Sequence, residues 1–324
     1  MSLDRQGRGF TELERELSLR TWLERRSYDG RRFTLRALLE AKSETVSIVL
    51  PARDVAATIG GVLDALVPLQ KAGLVDELVV IDAASTDGTA EIAAECGAQV
   101  LQESELMADH GPAQGKGDAM WRGVSATTGD VVVFIDTDTE DFDQVFALGM
   151  LGPLLTDPQV QFVKGSFRRP FRMAGVSVPD GGGRVTELVA RPLLNLYVPE
   201  LAGFFQPLAG ETAARRPLLE SLSYPVGYGV EVAMMIDTLR AVGIDAMAQV
   251  DLGTRQNRHQ SLRDLSAMAH AVLLAASARV HGREAIDAFS PGPLALPTHG
   301  TVEVRQVPAA ERPALRALGI RGGA

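Results

Sequence analysis

From Val46 onward the chain alternates short, nearly all-apolar runs with amphipathic stretches. Residues 46–52, 76–85, 98–103 and 130–135 read as strands, being brief, rich in β-branched residues and bounded by turn formers. Between them, 57–67, 86–96 and 117–126 place apolar residues at helical spacing. Pro68 should end the first of these helices. Thr86-Asp87-Gly88-Thr89 should open the second, and Gly97 should stop it. Strands apolar on both faces, alternating with helices, predict a mostly parallel Rossmann-like α/β sheet with helices on both sides. After Asp157 the order changes. A strand is expected over 161–167 at the sheet's edge, and the glycines 181–183 should open a helix from Arg184 to about Leu196. A helix over 227–241, a strand over 246–252 and a helix over 262–280 follow. Leu13, Leu17 and Leu23 predict a helical extension within residues 1–43. The Pro- and Gly-rich residues 282–324 predict a loosely ordered or partner-contacting tail.

Composition narrows the setting. The chain has 324 residues, 46% hydrophobic and 23% charged, enough to bury roughly 75% of its unfolded surface. A single cysteine, Cys96, excludes a disulfide framework and a cysteine-built zinc site. No apolar run approaches the ~20 residues that span a bilayer, and the first residues are too charged for a secretory signal, so no membrane partner is expected and the cytoplasm is. The net charge of −9 disfavours nucleic acid. Cations nonetheless cluster locally: Lys164, Arg168, Arg169 and Arg172, then Arg184 after three glycines, then Arg255 and Arg258 around Asn257. Local basic clusters in an acidic chain suggest small anionic ligands.

The sharpest chemical signal is the run 131–139, VVVFIDTDT, which ends in Asp136-Thr137-Asp138. Side chains alternate along extended chain, so the two carboxylates share a side and Thr137 faces the other way. Two such carboxylates repel, and a hard dication such as Mg²⁺ or Mn²⁺ relieves that repulsion while meeting a diphosphate. Pro51-Ala52-Arg53-Asp54 and Asp82-Ala83-Ala84-Ser85 end neighbouring strands. In sheets of this kind ligands bind outside the carboxyl ends. Gly181-Gly182-Gly183-Arg184-Val185-Thr186 is apt for an acceptor phosphate, since glycines admit an anion close to the backbone and Arg184 and Thr186 add donors. Glu231 sits among Val230, Val232, Met234 and Met235. There it suits either sugar hydroxyls or an ordinary first helical turn. Glu187 and Arg191 are spaced for a plain helical ion pair. His110, His270, His281 and His299 lack clustered partners and read as structural.

VSIVLPARD, ELVVIDAASTDGT and GDVVVFIDTDT, at these spacings, resemble the nucleotide-sugar half of the GT-A glycosyltransferases. QGKGDAMWR, GGGRVTELVARPLL, QPLAGE and GYGVEV are similar to one branch of them. That branch is the retaining glucosyl- and mannosyl-3-phosphoglycerate synthases of actinobacterial type, with the mannosyl side the nearer likeness. The resemblance implies a GT-A fold with a nucleotide-sugar part over 44–160 and a smaller acceptor-binding part over 161–281. It implies that Asp136 lies near ribose and diphosphate, and that Asp138 binds Mg²⁺ or Mn²⁺. Pro51, Ala52, Arg53, Asp54, Ala83, Lys116 and Thr137 would serve the nucleotide end, with Leu208, Gly210 and Glu231 on the sugar. Gly183, Arg184, Thr186 and Asn257 would hold the acceptor. Relatives often carry Pro-x-x-Asn-Glu-Glu in the first motif, where this chain has Pro51-Ala52-Arg53-Asp54-Val55-Ala56. They also place a metal-binding histidine in a register that here gives Asn257, so His259 is the expected third ligand.

The activity implied is metal-dependent transfer of mannose or glucose, GDP-mannose favoured, from a nucleotide-diphosphate sugar to 3-phosphoglycerate. No enzymatic nucleophile stands out, which points to a same-face mechanism with the leaving phosphate taking the hydroxyl proton. Other readings are a polyprenyl-phosphate acceptor, a non-catalytic nucleotide-sugar sensor and a nucleotidyltransferase. The terminal extensions suggest a homodimer.

Overall fold

The computed structural model describes residues 12–169, 171–173, 176–178, 182–255, 261–288 and 293–323. The chain opens with α1 (Glu12–Arg26), β1 (Ser27–Asp29), α2 (Leu35–Ala41), β2 (Val46–Ala52), α3 (Ile59–Lys71), β3 (Glu77–Asp82), α4 (Thr89–Glu95) and β4 (Gln99–Gln102). Next come α5 (Lys116–Ala126), β5 (Val131–Phe134), α6 (Val145–Thr156), β6 (Phe162–Arg168), β7 (Phe171–Met173) and β8 (Val176–Val178). A wide π-type turn over Thr186–Ala190 leads into α7 (Arg191–Tyr197), so one continuous helical stretch stands where 184–196 was expected. Then follow β9 (Thr212–Arg215), α8 (Arg216–Leu219), β10 (Tyr224–Pro225), α9 (Val230–Val242), β11 (Met247–Thr254) and α10 (Leu262–His281). The last elements are α11 (Arg283–Ala288), the hairpin β12 (Leu294–Thr298) and β13 (Thr301–Arg305), and β14 (Glu311–Arg312).

Eight strands form one sheet in the order β1-β11-β6-β9-β5-β2-β3-β4. All neighbours run parallel except β9, which is antiparallel to both β5 and β6. The strand expected at the edge, β6, therefore lies inside the sheet, and residues 27–29 supply the edge instead. The reason is β9. Its Thr-Ala-Ala-Arg sequence has no apolar alternation, yet it bridges the nucleotide-side strands to β6 and β11 through backbone pairing.

Val46, Ile48 and Leu50 of β2 bury one face against α2, α3 and α6, while Val49 faces α5, α9 and α10. Helix α6 is buried all round, which erases the helical periodicity; it also contains Gly149, Gly152 and Pro153, so the sequence reading passed over it. Helix α3 runs past Pro68 to Lys71 because burial of Leu66 and Leu69 on either side outweighs one missing backbone bond. Among its described residues the tail is not loose. Strand β14 pairs with β10, Leu315 is fully buried, and Arg312 forks onto Asp118 at 2.8 and 2.7 Å. No helix among the described residues is long and apolar enough to cross a membrane.

Candidate active site

The strand ends converge as the alternation requires. Asp136 and Asp138 follow β5. Between them the Thr137 hydroxyl turns away and donates to the Pro51 carbonyl at 2.8 Å, and its own carbonyl accepts from Thr58 at 2.6 Å. Thr137 thus staples β2 to the loop after β5. Lys116, first residue of α5, reaches back across the sheet end, with Nζ 2.7 Å from Asp136 Oδ1 and 2.8 Å from Glu231 Oε1. A side chain at position 210 has no room: a Cβ on Gly210 would lie 2.1 Å from Asp136 Oδ1. Gly210 is the floor on which that carboxylate rests.

Behind this pair stands Arg255, wholly buried at the end of β11. Its Nη2 is 2.6 Å from Asp138 Oδ1, its Nη1 is 3.5 Å from Asp136 Oδ2, and Nη1 also meets Glu211 Oε1 in a short contact. Lys164 on β6 is buried too, donating to Thr212 Oγ1 at 2.9 Å. Lys116, Lys164 and Arg255 thereby gather with Asp136, Asp138, Glu211 and Glu231 at the sheet end.

The electrostatics follow from burial and pairing. Burial alone would lower the Lys116 pKa, but Asp136 and Glu231 hold it above its ordinary value. Burial would likewise raise Asp136; Lys116 and Arg255 instead hold it well below the usual carboxylate range. Burial pushes the Glu211 carboxyl up against the pull of Arg255. Burial also pushes Lys164 down to about 8, aided by the Lys116 cation and opposed by Glu231. Asp138 differs from its neighbours: its side chain is 54% exposed, so it stands at the rim facing solvent.

The remaining expected residues fall around this core. Ala83 is held by a 2.9 Å bond from its N–H to the Ala52 carbonyl, closing the slot between β2 and β3. Arg53 and Asp54 are exposed there, and Asp54 adopts φ 51 with its carboxylate accepting from Thr86 N–H at 3.0 Å. Leu208 is partly buried against the interior. Gly183 adopts φ +71, and a Cβ there would sit 3.7 Å from the Gln206 side chain. Thr186 is buried, and Glu187 pairs with Arg191 at 2.7 and 2.9 Å, the helical ion pair expected from its spacing. Asn257 and His259 lie outside the described residues.

Residues 47–199 match Glycosyl transferase family 2. The chain is 45% identical over 253 residues to the glucosyl-3-phosphoglycerate synthase of Mycolicibacterium smegmatis, covering 78% of this chain and 83% of that protein. The chain belongs to the glucosyl- and mannosyl-3-phosphoglycerate synthase family. It is therefore a glycosyltransferase, and its mixed sheet is the GT-A fold expected above. Among solved members, mannosyl-3-phosphoglycerate synthase from Rubrobacter xylanophilus superposes with a TM-score of 0.82 at 46% identity, covering 92% of this chain and 99% of that one. Glucosyl-3-phosphoglycerate synthase from Mycobacterium tuberculosis, solved with Mn²⁺, UDP and glucosyl-3-phosphoglycerate, gives 0.79 at 41%, covering 88% and 96%.

The sequence reading named Asp136, Asp138, Lys116 and Glu231 but missed the groups that hold them in place. Glu211 was quoted only as the end of a motif, and Arg255 and Lys164 only as clustered cations. The available signal was a charged residue directly beside a strand: Glu211 just before β9 and Arg255 just after β11.

Proposed function

We propose that the chain transfers a hexose, with retention, from a nucleotide-diphosphate sugar to the 2-hydroxyl of 3-phosphoglycerate, with GDP-mannose the favoured donor and mannosyl-3-phosphoglycerate the product. The observation that carries this reading is the likeness to the Rubrobacter mannosyl enzyme, which extends over 92% of the chain and so takes in the acceptor half as well as the nucleotide half. The Asp54 carboxylate, turned to the Thr86 N–H, supports a nucleotide contact unlike that of relatives with an acidic pair in this motif. A second reading, transfer of glucose, is supported by the curated relatives, which are named for that sugar.

Among the described residues no three histidine, cysteine or acidic side chains are grouped to cage a metal. A half-exposed Asp138 at the rim fits a hard dication that fills its shell from phosphate and water, with His259 the further ligand in this proposal. When bound, such an ion would neutralise the departing diphosphate. The protein's own groups do the rest. Lys116 brings positive charge to the donor, and Glu231, braced by Lys116, offers a carboxylate to sugar hydroxyls. Gly183, Arg184 and Thr186 hold the acceptor phosphate. Transfer breaks the bond from the anomeric carbon to the diphosphate oxygen and forms one to the acceptor's 2-oxygen on the same face. The hydroxyl proton passes to the leaving diphosphate. Asp136 and Glu231 are both tied to Lys116, which argues against either as a nucleophile. A homodimer completes the proposal, supported by Val302 and Val304, which the β12–β13 hairpin leaves exposed; light scattering tests it.

The deciding assay supplies purified protein, Mg²⁺ or Mn²⁺ and 3-phosphoglycerate with mannose or glucose on either GDP or UDP. Mass spectrometry and NMR then identify the product and its anomeric configuration. Absence of a hexosyl-phosphoglycerate with all four donors refutes the proposal. Asp138→Ala should abolish metal-dependent turnover while leaving the circular dichroism unchanged.

A further inference from the structure

The segments that carry Lys116 and Glu231 are both tied to one short piece of the tail, residues 310–313. Strand β14 sets Glu311 opposite Pro225 and Arg312 opposite Tyr224, and the Val226 N–H donates to the Ala310 carbonyl at 3.1 Å. The Glu311 carboxylate accepts from Arg279 of α10 at 2.9 and 3.2 Å and from the Ser223 hydroxyl at 3.1 Å. Arg279 also donates to Asp237 at 2.8 Å, so one guanidinium joins the tail to α9, the helix that bears Glu231.

The start of α5 rests on the strand that β14 holds. A Cβ on Gly117 would lie 1.8 Å from the Pro225 carbonyl oxygen, and one on Gly115 would lie 3.2 Å from that of Val226. No side chain caps the helix at Gly115, which has φ 131. Asp118 instead reaches back and accepts the Gln114 N–H at 3.0 Å, drawing the chain before Lys116 onto the helix. Arg312 meets this joint from far along the chain. Its Nε and Nη2 donate to the two Asp118 oxygens at 2.8 and 2.7 Å, and Nη2 also reaches the Pro112 carbonyl at 2.7 Å. Its Nη1 makes a short contact with the His110 carbonyl. Neutralising Asp118 does not by itself require Arg312, because Arg122, one turn along α5, already pairs with that carboxylate at 3.1 Å. What Arg312 adds is a simultaneous grip on Asp118 and on the backbone that leads into Lys116.

We propose that Arg312 is a positioning residue for the donor, holding Asp118 together with the His110 and Pro112 carbonyls so that the Lys116 ammonium stands where the nucleotide sugar meets it. The inference rests on the donor role of Lys116 in the function proposed above. Arg312 is itself buried and its donors are committed to protein groups, so it acts through Asp118 and the loop rather than on substrate. Displacing a charged contact by about 1 Å can lower a rate on the order of 100-fold, and the Lys116 contacts to Asp136 and Glu231 at 2.7 and 2.8 Å leave little slack.

The test is a double-mutant cycle on the full chain: wild type, Arg312→Met, Lys116→Met and the double variant. Steady-state kinetics give kcat/KM for GDP-mannose and UDP-glucose and KM for 3-phosphoglycerate. Calorimetry gives donor dissociation constants with Mn²⁺, and circular dichroism reports folding at the assay temperature. Alone, Arg312→Met should lower donor kcat/KM by about 10- to 100-fold and weaken donor binding, while KM for 3-phosphoglycerate moves by less than about 3-fold. In the Lys116→Met background the same change should lower either donor reading by less than about 3-fold, because residues that act as a unit do not add. Arg312→Lys, which keeps the charge without the fork, should fall between wild type and Arg312→Met. Losses that multiply in the double variant, or an equal rise in KM for 3-phosphoglycerate, overturn the proposal. If Arg312→Met does not fold, Arg312→Gln carries the comparison; failure of both to fold assigns Arg312 to the fold alone and also overturns it. If the wild type transfers no hexose to 3-phosphoglycerate, the proposed function fails, and donor calorimetry still decides this inference. If the wild type binds neither donor, both fall together. If it transfers hexose and the losses multiply, this inference alone fails.

Discussion

Replacing Arg255 by Met should remove the keystone of the charge network, and the structure says where the cost falls. Three carboxylates touch this guanidinium, but they do not lose equally. Asp138 is more than half exposed, so water replaces Arg255 there and the loss is under about 1 kcal/mol. Asp136 keeps its 2.7 Å bond to Lys116 and loses only a 3.5 Å contact. Glu211 has no such relief: it is fully buried, its Oε2 already lacks a partner, and Arg255 is its ion-pair partner. Leaving a buried carboxylate uncompensated costs about 3–5 kcal/mol, so nearly the whole effect belongs to Glu211. Urea unfolding followed by circular dichroism should show that loss at pH 7. Changing Glu211 to Leu in the same background should recover most of it. The pH dependence fixes the sign. Burial already raises the folded pKa of Glu211, and removing the arginine raises it further. The folded state then binds more protons than the unfolded chain, so the variant loses stability as pH rises from the ordinary carboxylate pKa through the raised value. A deficit below about 1 kcal/mol, or one that Glu211→Leu fails to repair, would refute this account of the network.

Three further outcomes follow from the same geometry. Lys116→Met leaves Asp136 and Glu231 facing each other without their shared cation, so kcat/KM should fall by at least about 100-fold, or ~3 kcal/mol; steady-state kinetics near wild type would sink the bridging role. Gly210→Ala forces the Asp136 carboxylate off its floor; activity should drop while stability changes by about 1–3 kcal/mol, and full activity would show that the carboxylate position is not needed. Burial, reinforced by Asp118, pushes Glu103 up to about 7. The folded state therefore holds a proton that the unfolded chain releases near the ordinary carboxylate value, and about 1–3 kcal/mol of stability should disappear as pH rises through 7. Glu103→Gln should flatten that slope in thermal melts, and an unchanged slope would assign it to another group.

The nucleotide half was readable because its signals are local. Each of β2, β3 and β5 is a short apolar run with its chemistry at the carboxyl end, and Asp136, Asp138 and Lys116 sit at positions fixed by strand alternation and a helix start. What escaped the reading depends on contacts between distant parts of the chain. Arg255 meets Glu211 across 44 residues and Asp138 across 117, a pairing no window reveals. Strand β9 has no pattern of its own and exists because two neighbours accept its backbone. Helix α6 was hidden for the opposite reason, since complete burial leaves it no polar face to set a period. The loose order that the tail's Pro and Gly content suggested gives way to single side chains, Arg312 and Leu315, that anchor it.

That anchoring has a bearing on biosynthesis. Arg312 neutralises Asp118, which is wholly enclosed two residues beyond Lys116, and the backbone carbonyl of Pro313 takes the indole N–H of Trp121. The helix bearing that lysine thus waits for residues translated some two hundred positions later. Ribosome-bound chains stopped before position 311 should leave this region open to proteases, and full-length release should close it.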